Sequence, residues 1–225
     1  MTSIHNPRRL FVLSPDSHSL MTVPHLLHSL TGTPVAADLP HNPTNAETTT
    51  LAGYTSHPPL QIRTRYYNAD VPIWVDEIPL PASPASSSSS DALPPTTEQW
   101  KKEFLSAEAQ IVRDAVGAVI ICLKNLQQPA EEEDKTIREL LRAVGDVKGQ
   151  AEEERGGDAD IPGLLVLMDN NNDDNNTSGD DEDGDRPFST AWWEDRLFDD
   201  GLMGLEVIRW NPTLREEDKR DQLGG

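Results

Sequence analysis

Apolar residues in this chain fall mostly into short runs bounded by proline, glycine or asparagine. They are LFVL at Leu10–Leu13, IRTRYY at Ile62–Tyr67, VPIWVDEI at Val71–Ile78, AVIICLKN at Ala118–Asn125, GLLVLMD at Gly163–Asp169 and LEVIRW at Leu205–Trp210. Runs of this length, rich in Val and Ile, predict buried strands of a parallel sheet. Between most of them the spacing turns helical. Thr22–Leu30 carries Pro24 near its start, where proline is tolerated. Thr97–Val116 places Trp100, Phe104, Ala107, Ile111 and Ala115 on one face, with Thr96 or Thr97 as N-cap. Asp134–Val147 repeats the pattern, with Gly145 or Gly149 as its stop. Ser189–Asp200 runs from a serine cap to Gly201 and carries Trp192, Trp193 and Leu197.

Strand and helix therefore alternate, except between the second and third strands, where the tight YYNADV joint predicts a hairpin. This order predicts an α/β fold of three layers, a mostly parallel six-stranded sheet with one antiparallel hairpin and helices on both faces. Two stretches stand outside the pattern. Residues 79–95, PLPASPASSSSSDALPP, are Ser/Pro-rich, and 170–187 hold the run NNNDDNNTSGDDEDGD. Neither has the apolar content to pack, so both are expected to be disordered insertions in a single domain spanning 1–212. The polar tail 213–225 follows.

Charge narrows the function. The formal net charge is −20 and hydrophobic residues make up 36% of the chain. The first eighty or so residues are nearly neutral, and most of the acid lies between Glu131 and Asp200. Such a balance disfavours direct nucleic-acid binding, which needs a basic surface, and attachment to an anionic membrane face. Cys122 is the single cysteine, so no disulfide framework or Cys-rich zinc site is expected. The N-terminus has too short an apolar run for a signal peptide, and no segment approaches the length of a membrane span. A cytoplasmic protein is expected.

The element order resembles that of Ras-like small GTPases. More specifically, NPRRLFVLSP at Asn6–Pro15, LTGTPV at Leu30–Val35, AGYTSHPPLQIRTRYYNADVPIWVDEI at Ala52–Ile78, AVGAVIICLKN and GLEVIRWNP resemble the fungal branch of the alpha- and gamma-adaptin-binding protein family, the increased recombination centers protein 6 family. The resemblance implies a pseudo-GTPase that binds clathrin-adaptor subunits, assists adaptor assembly or vesicle-mediated transport, and uses no cofactor. The family name adds an association with chromosome stability and recombination. Family members continue into a further C-terminal helical region. Here only TLREEDKRDQLGG follows, so the tail is expected to be truncated or divergent, and the oligomeric state stays open.

The residues themselves speak against a nucleotide site. A phosphate loop needs G-x-x-x-x-G-K-[ST], so that backbone N–H groups wrap the phosphates and lysine neutralises them. Ser14–Leu20 contains no glycine and no lysine, and Ser17 or Ser19 would meet Mg²⁺ only inside such a cradle. After the third strand, Asp76-Glu77-Ile78-Pro79 has proline where a D-x-x-G glycine would offer its N–H. Asn170–Asp173 keeps the Asn and Asp of the guanine-reading N-K-x-D, in a run where that spacing arises by chance. No residue suits the nucleophile-positioning role. Residual GTP binding or weak hydrolysis is the enzyme alternative.

Other constellations reduce to plainer readings. His25 and His28 are one helical turn apart without a third metal ligand, which leaves exposed or interface histidines. Ser14, Asp16 and His18 are too close in one loop to form a triad. The Asp174–Asp185 run matches several calcium-loop positions but lacks the closing Glu and flanking helices. Leu165–Asp169 matches a clathrin-box pattern yet reads as a strand. Of Trp192 and Trp193, one is expected in the core and one partly exposed. Tyr66, Tyr67, Asp70 and Trp74 straddle the predicted hairpin and are the candidate partner-binding residues.

Overall fold

The structure is a computed structural model that describes residues 2–35, 41–42, 45–80, 96–125, 131–157, 160–169, 189–202 and 204–212. Its strands are β1 (Thr2–Ile4), β2 (Arg9–Pro15), β3 (His41–Asn42), β4 (Asn45–Thr49), β5 (Leu60–Arg63), β6 (Tyr67–Val71), β7 (Ile73–Ile78), β8 (Val116–Lys124), β9 (Gly163–Met168) and β10 (Leu205–Trp210). The helices are α1 (Asp16–Thr31), α2 (Thr97–Leu105), α3 (Gln110–Ala115), α4 (Glu131–Glu154) and α5 (Thr190–Asp199). Apart from Pro79 and Leu80, the expected insertions lie outside the described residues, as does the tail from 213.

Five strands form the central sheet in the order β10-β9-β8-β2-β7, all parallel. The expected antiparallel hairpin lies elsewhere, in a separate three-stranded sheet ordered β1-β6-β5. Its turn is at residues 64–66, not at YYNADV, most of which is itself strand. Thr64 accounts for the turn, since its Oγ1 accepts the N–H groups of Tyr66 and Tyr67 at 3.2 and 3.0 Å. Pro72 then separates β6 from β7 because proline has no N–H for the ladder. Asn6, at φ 53°, bends the neighbouring chain between β1 and β2. A short antiparallel pair, β3 with β4, was not expected from the pattern.

Strand alternation sends side chains to two faces. Phe11, Leu13, Val119, Ile121, Leu165, Leu167 and Val207 face α2, α4 and α5, where Trp100, Ile137, Leu140, Leu141, Trp193 and Leu197 close the larger core. Leu10, Val12, Val75, Cys122 and Val166 face α1 through Val23, Leu26 and Leu27. Each fully buried Leu or Ile contributes roughly 1.5–3 kcal/mol relative to exposure.

Three helices differ from expectation. Helix α1 starts six residues early, and Pro24 sits inside it. The early turn forms because His18, Ser19 and Thr22 are buried by tertiary contacts rather than by apolar character. The segment expected as one helix over Thr97–Val116 breaks into α2 and α3. Arg113, 3% exposed, turns back and donates to the carbonyls of Phe104 and Ser106, satisfying the end of α2. Helix α4 runs through both glycines expected to stop it. A Cβ on Gly145 would lie 2.2 Å from Leu202 Cδ2, so that glycine makes room for a neighbour. The caps of α5 agree with the sequence: Ser189 Oγ accepts the Trp192 N–H at 3.1 Å, and Gly201 adopts φ 71°.

Candidate functional site

In an open parallel sheet the functional crevice lies at the carboxyl ends of the strands, where the chain reverses its direction of travel across the sheet. Here that point is between β2 and β8. From β2 the chain passes through α1 to β7 on one side, then crosses to β8 on the other. The residues beside the crevice are Ser14–Ser19, Asp76–Leu80 and Cys122–Asn125.

No loop separates β2 from α1. Pro15 is both the last residue of the strand and the helix N-cap, with φ −54° and ψ 141°. A helix N-terminus in this position attracts an anion. The chain supplies its own carboxylate: Asp16 Oδ1 accepts the N–H of Ser17 at 2.7 Å and of Leu80 at 3.4 Å. Burial raises the Asp16 pKa, the two N–H groups oppose the rise, and neighbouring Glu77 adds to it.

The crevice floor is bonded to itself. Ser14 Oγ donates to the Cys122 carbonyl at 2.9 Å and lies 3.3 Å from Thr22 Oγ1. His18 Nδ1 accepts the Lys124 N–H at 3.3 Å. Burial, aided by the Lys124 charge, lowers the His18 pKa to about 4, so the ring is neutral. Glu77 gathers three donors: Ser19 Oγ at 2.6 Å and the Leu51 N–H at 2.8 Å on Oε1, and Thr50 Oγ1 at 2.6 Å on Oε2. Its neighbour Asp76 points to the other face, where it accepts from Trp100 Nε1 at 3.0 Å and the Gly53 N–H at 3.1 Å. Burial raises the Asp76 pKa. Ser14 and Ser19 are fully buried, which leaves no approach for a substrate to either hydroxyl.

Farther along the strand ends, Asn125 Nδ2 and Arg209 Nε both donate to Asp169, at 2.6 and 2.8 Å, joining β8, β9 and β10. Asn170–Asp173 and the Asp174–Asp185 run lie outside the described residues.

Ser14, Asp16 and His18 bond to different partners, so they do not act as a triad. His25 and His28 are both exposed, and no group of three or more His, Cys, Asp or Glu side chains converges on a metal position among the described residues. Leu165–Met168 are buried in β9, as the strand reading requires. Trp193 is in the core, while Trp192 is partly exposed beneath the Arg196 guanidinium, 5.0 Å from its ring centroid. Cys122 is fully buried, and burial pushes its thiol pKa up.

The four candidate partner residues do not form one patch. Tyr66 is 75% exposed at the hairpin turn, and Tyr67 and Asp70 belong to β6. Asp70 pairs with Arg63 across the hairpin. Because β6 is the middle strand of its sheet, the edges among the described residues belong to β1 and β5. Trp74 stands in the central sheet, its ring 5.7 Å from both the Phe11 centroid and the Arg9 guanidinium. The sequence reading missed the gathering role of Glu77, the buried His18 and the Asn125–Asp169–Arg209 cluster. Its one local signal was a pair of adjacent carboxylates, Asp76 and Glu77, ending an apolar strand.

No protein-family model matches the chain. No curated protein matches it either. Among solved structures it is similar to a variant of Aquifex aeolicus Era bound to GDP and AlF4⁻, at 9% identity and a TM-score of 0.40. That likeness covers 98% of this chain and 56% of the other, so the chain spans little more than half the length of Era. No described helix is long and apolar enough to cross a membrane.

Proposed function

We propose that this chain is a pseudo-GTPase, a GTPase-type fold kept for binding proteins, and that it acts as a clathrin-adaptor-binding factor in adaptor assembly or vesicle-mediated transport. One observation carries the non-catalytic part. The crevice at the strand ends is closed by the protein's own groups, with Asp16 at the helix N-terminus and Glu77 drawing Ser19 and Thr50 directly onto its carboxylate. A working site of this class needs a backbone cradle, a lysine and a metal held by a hydroxyl and a carboxylate. This chain has no cradle or lysine between β2 and α1, and its Ser19 and Thr50 hydroxyls are committed to Glu77. Support for the GTPase-type layout comes from the strand order, with a hairpin feeding the edge strand β7.

The adaptor role rests on the family resemblance around the 52–78 block. Two experiments test the reading. Fluorescent GTP titrated with Mg²⁺ should show no saturable binding, and a micromolar Kd would overturn the pseudo-GTPase assignment. Pull-downs against separate adaptor large and small subunits should capture one of them, and capture of none would overturn the adaptor role.

A further inference from the structure

Residues 50–57 form a strap along β7, the last strand of the central sheet on its side. Carboxylates of β7 hold its first half: Thr50 Oγ1 and the Leu51 N–H bond to Glu77, and the Gly53 N–H to Asp76 at 3.1 Å. The second half is held differently. The Tyr54 carbonyl accepts the Val75 N–H at 2.9 Å, satisfying a donor on the outer side of the strand. His57, 6% exposed, reaches the last residue of α1, with Nε2 2.9 Å from Thr31 Oγ1. Gly53, at φ 67° and with nothing within 4 Å of a Cβ position, joins the two halves.

The bonds at Thr31 fix which ring nitrogen carries the proton. Thr31 Oγ1 donates its one hydrogen to the Leu27 carbonyl at 2.8 Å, the Thr33 carbonyl being farther off at 3.5 Å, and accepts the Thr33 N–H at 3.2 Å. One lone pair is left, and His57 Nε2 donates to it. Nδ1 is then unprotonated, and it is sealed from water without a hydrogen-bond partner. A proton added there would be a buried charge with no acceptor.

We infer that His57 is a proton-operated latch: neutral, it ties residues 54–57 to the end of α1, and on taking up a proton it lets them swing from β7 about Gly53. The surroundings offer a charged ring no counter-ion. Tyr54 lies against it, ring centroids 6.2 Å apart, and His28 of α1 is exposed one turn from Thr31. Arg63 of β5 is paired with Asp70, and Asp76 and Glu77 of β7 are engaged with the first half of the strap. No side-chain charge among the described residues bears on the ring; burial lowers its pKa and the Leu27 carbonyl opposes the fall. The latch is therefore closed above pH 6.5, the value of a free ring, and loses its hold as pH falls below it. Asp76, whose pKa burial raises, has the opposite sign, so acid does not loosen the first half of the strap through it.

The test is amide exchange followed by NMR on the full chain at about pH 7.5 and about pH 5.5, with rates corrected for the pH dependence of exchange itself. The Val75 amide reports the bond to the Tyr54 carbonyl, and the amides of β9 report the core. Two variants accompany the parent. His57→Gln keeps an N–H for Thr31 and cannot titrate, whereas Thr31→Val removes the acceptor at every pH. Between the two pH values the parent should lose Val75 protection by up to about tenfold more than His57→Gln does. The β9 amides should behave alike in those two proteins. Thr31→Val should lower Val75 protection already at about pH 7.5. Equal acid sensitivity of Val75 in parent and His57→Gln overturns the inference, as does unchanged Val75 protection in Thr31→Val. So does a difference between parent and His57→Gln that is as large in β9 as at Val75, because the proton would then act on the whole fold and not on the strap.

Discussion

Ser19 Oγ donates to Glu77 Oε1 at 2.6 Å, joining the first turn of α1 to the end of β7. Thr50 reaches the second oxygen of the same carboxylate at 2.6 Å, and Leu51 adds its N–H to the first at 2.8 Å. The two hydroxyls meet the carboxylate directly. The result is a clasp that fixes α1, the segment at Thr50 and β7 around one side chain.

Removing the carboxylate leaves the Thr50 hydroxyl and the Leu51 N–H without their acceptor, while Ser19 Oγ falls back on the Asp16 carbonyl at 3.2 Å. Unsatisfied part-buried donors cost about 1 kcal/mol or more each. Glu77→Ala should therefore lower the unfolding free energy by about 2–3 kcal/mol, and Glu77→Gln, which keeps one acceptor oxygen, by roughly half as much. Urea unfolding followed by circular dichroism measures both. Equal losses in the two variants would mean that packing, and not the three bonds, accounts for the effect.

His18 gives the protein a pH dependence of definite sign. Burial, then the Lys124 charge, holds its pKa at about 4 in the folded chain, down from 6.5. The folded state refuses a proton that the unfolded chain accepts below pH 6.5. This contribution is therefore complete above that value and is lost as pH falls toward 4. His57, whose pKa burial also lowers, acts in the same direction. Asp16 and Asp76, raised by burial, have the opposite sign: they favour the folded chain in acid and lose that contribution as pH rises through their folded values. Between about pH 7 and pH 5 the His18 contribution should fall by roughly 2 kcal/mol. His18→Asn keeps an acceptor for the Lys124 N–H and should flatten that part of the curve, as measured by urea unfolding at the two pH values.

The sequence made the central sheet legible because its strands are short apolar runs between breakers. β10 begins and ends where the LEVIRW run does. Ser189 was readable as a cap because its bond to the Trp192 N–H is local. Helix α1 was only half legible. Its first turns bury polar residues whose partners are distant in sequence: Ser19 bonds to the Glu77 carboxylate and His18 to the Lys124 N–H. Periodicity counts apolar side chains and cannot register such burial. The hairpin was misplaced for a related reason. A β-rich run with Pro72 inside it reads as two strands and a joint, whereas Thr64 makes the turn through its hydroxyl. At the site, the missing glycines and lysine were plain in the sequence. That Glu77 would gather Ser19 and Thr50 was not, because nothing local pairs those positions.

Arg113 should be the most costly surface-to-core link to break. Its guanidinium donates to Glu154 from Nε at 3.0 Å and from a terminal nitrogen at 2.5 Å, and caps the Phe104 and Ser106 carbonyls besides. Arg113→Ala leaves a part-buried carboxylate and two carbonyls without donors. A loss of about 3 kcal/mol is expected. Arg113→Lys should recover only part of it, because an ammonium cannot reproduce the planar fork. Thermal melts rank the three proteins. Full recovery by lysine would show that charge alone matters.

Gly117 and Gly149 should respond in opposite directions to the same change. A Cβ on Gly117 in β8 would lie 2.7 Å from the Arg8 Cβ, with Arg8 C and Arg9 O each at 3.4 Å. None of these atoms is the free end of a side chain, so the clash is relieved only by moving backbone where the β2–β8 register shifts between Arg9 and Leu10. Gly149 lies inside α4 with nothing within 4 Å of the corresponding position. Alanine there removes glycine's entropic penalty without opposition. Gly117→Ala should therefore destabilise by about 1–3 kcal/mol. Gly149→Ala should stabilise by up to about 1 kcal/mol. Melting temperatures of the two variants against the parent decide the matter. A neutral Gly117→Ala would mean that the β1–β2 bend yields freely, and that close packing against β8 does not hold the sheet's register.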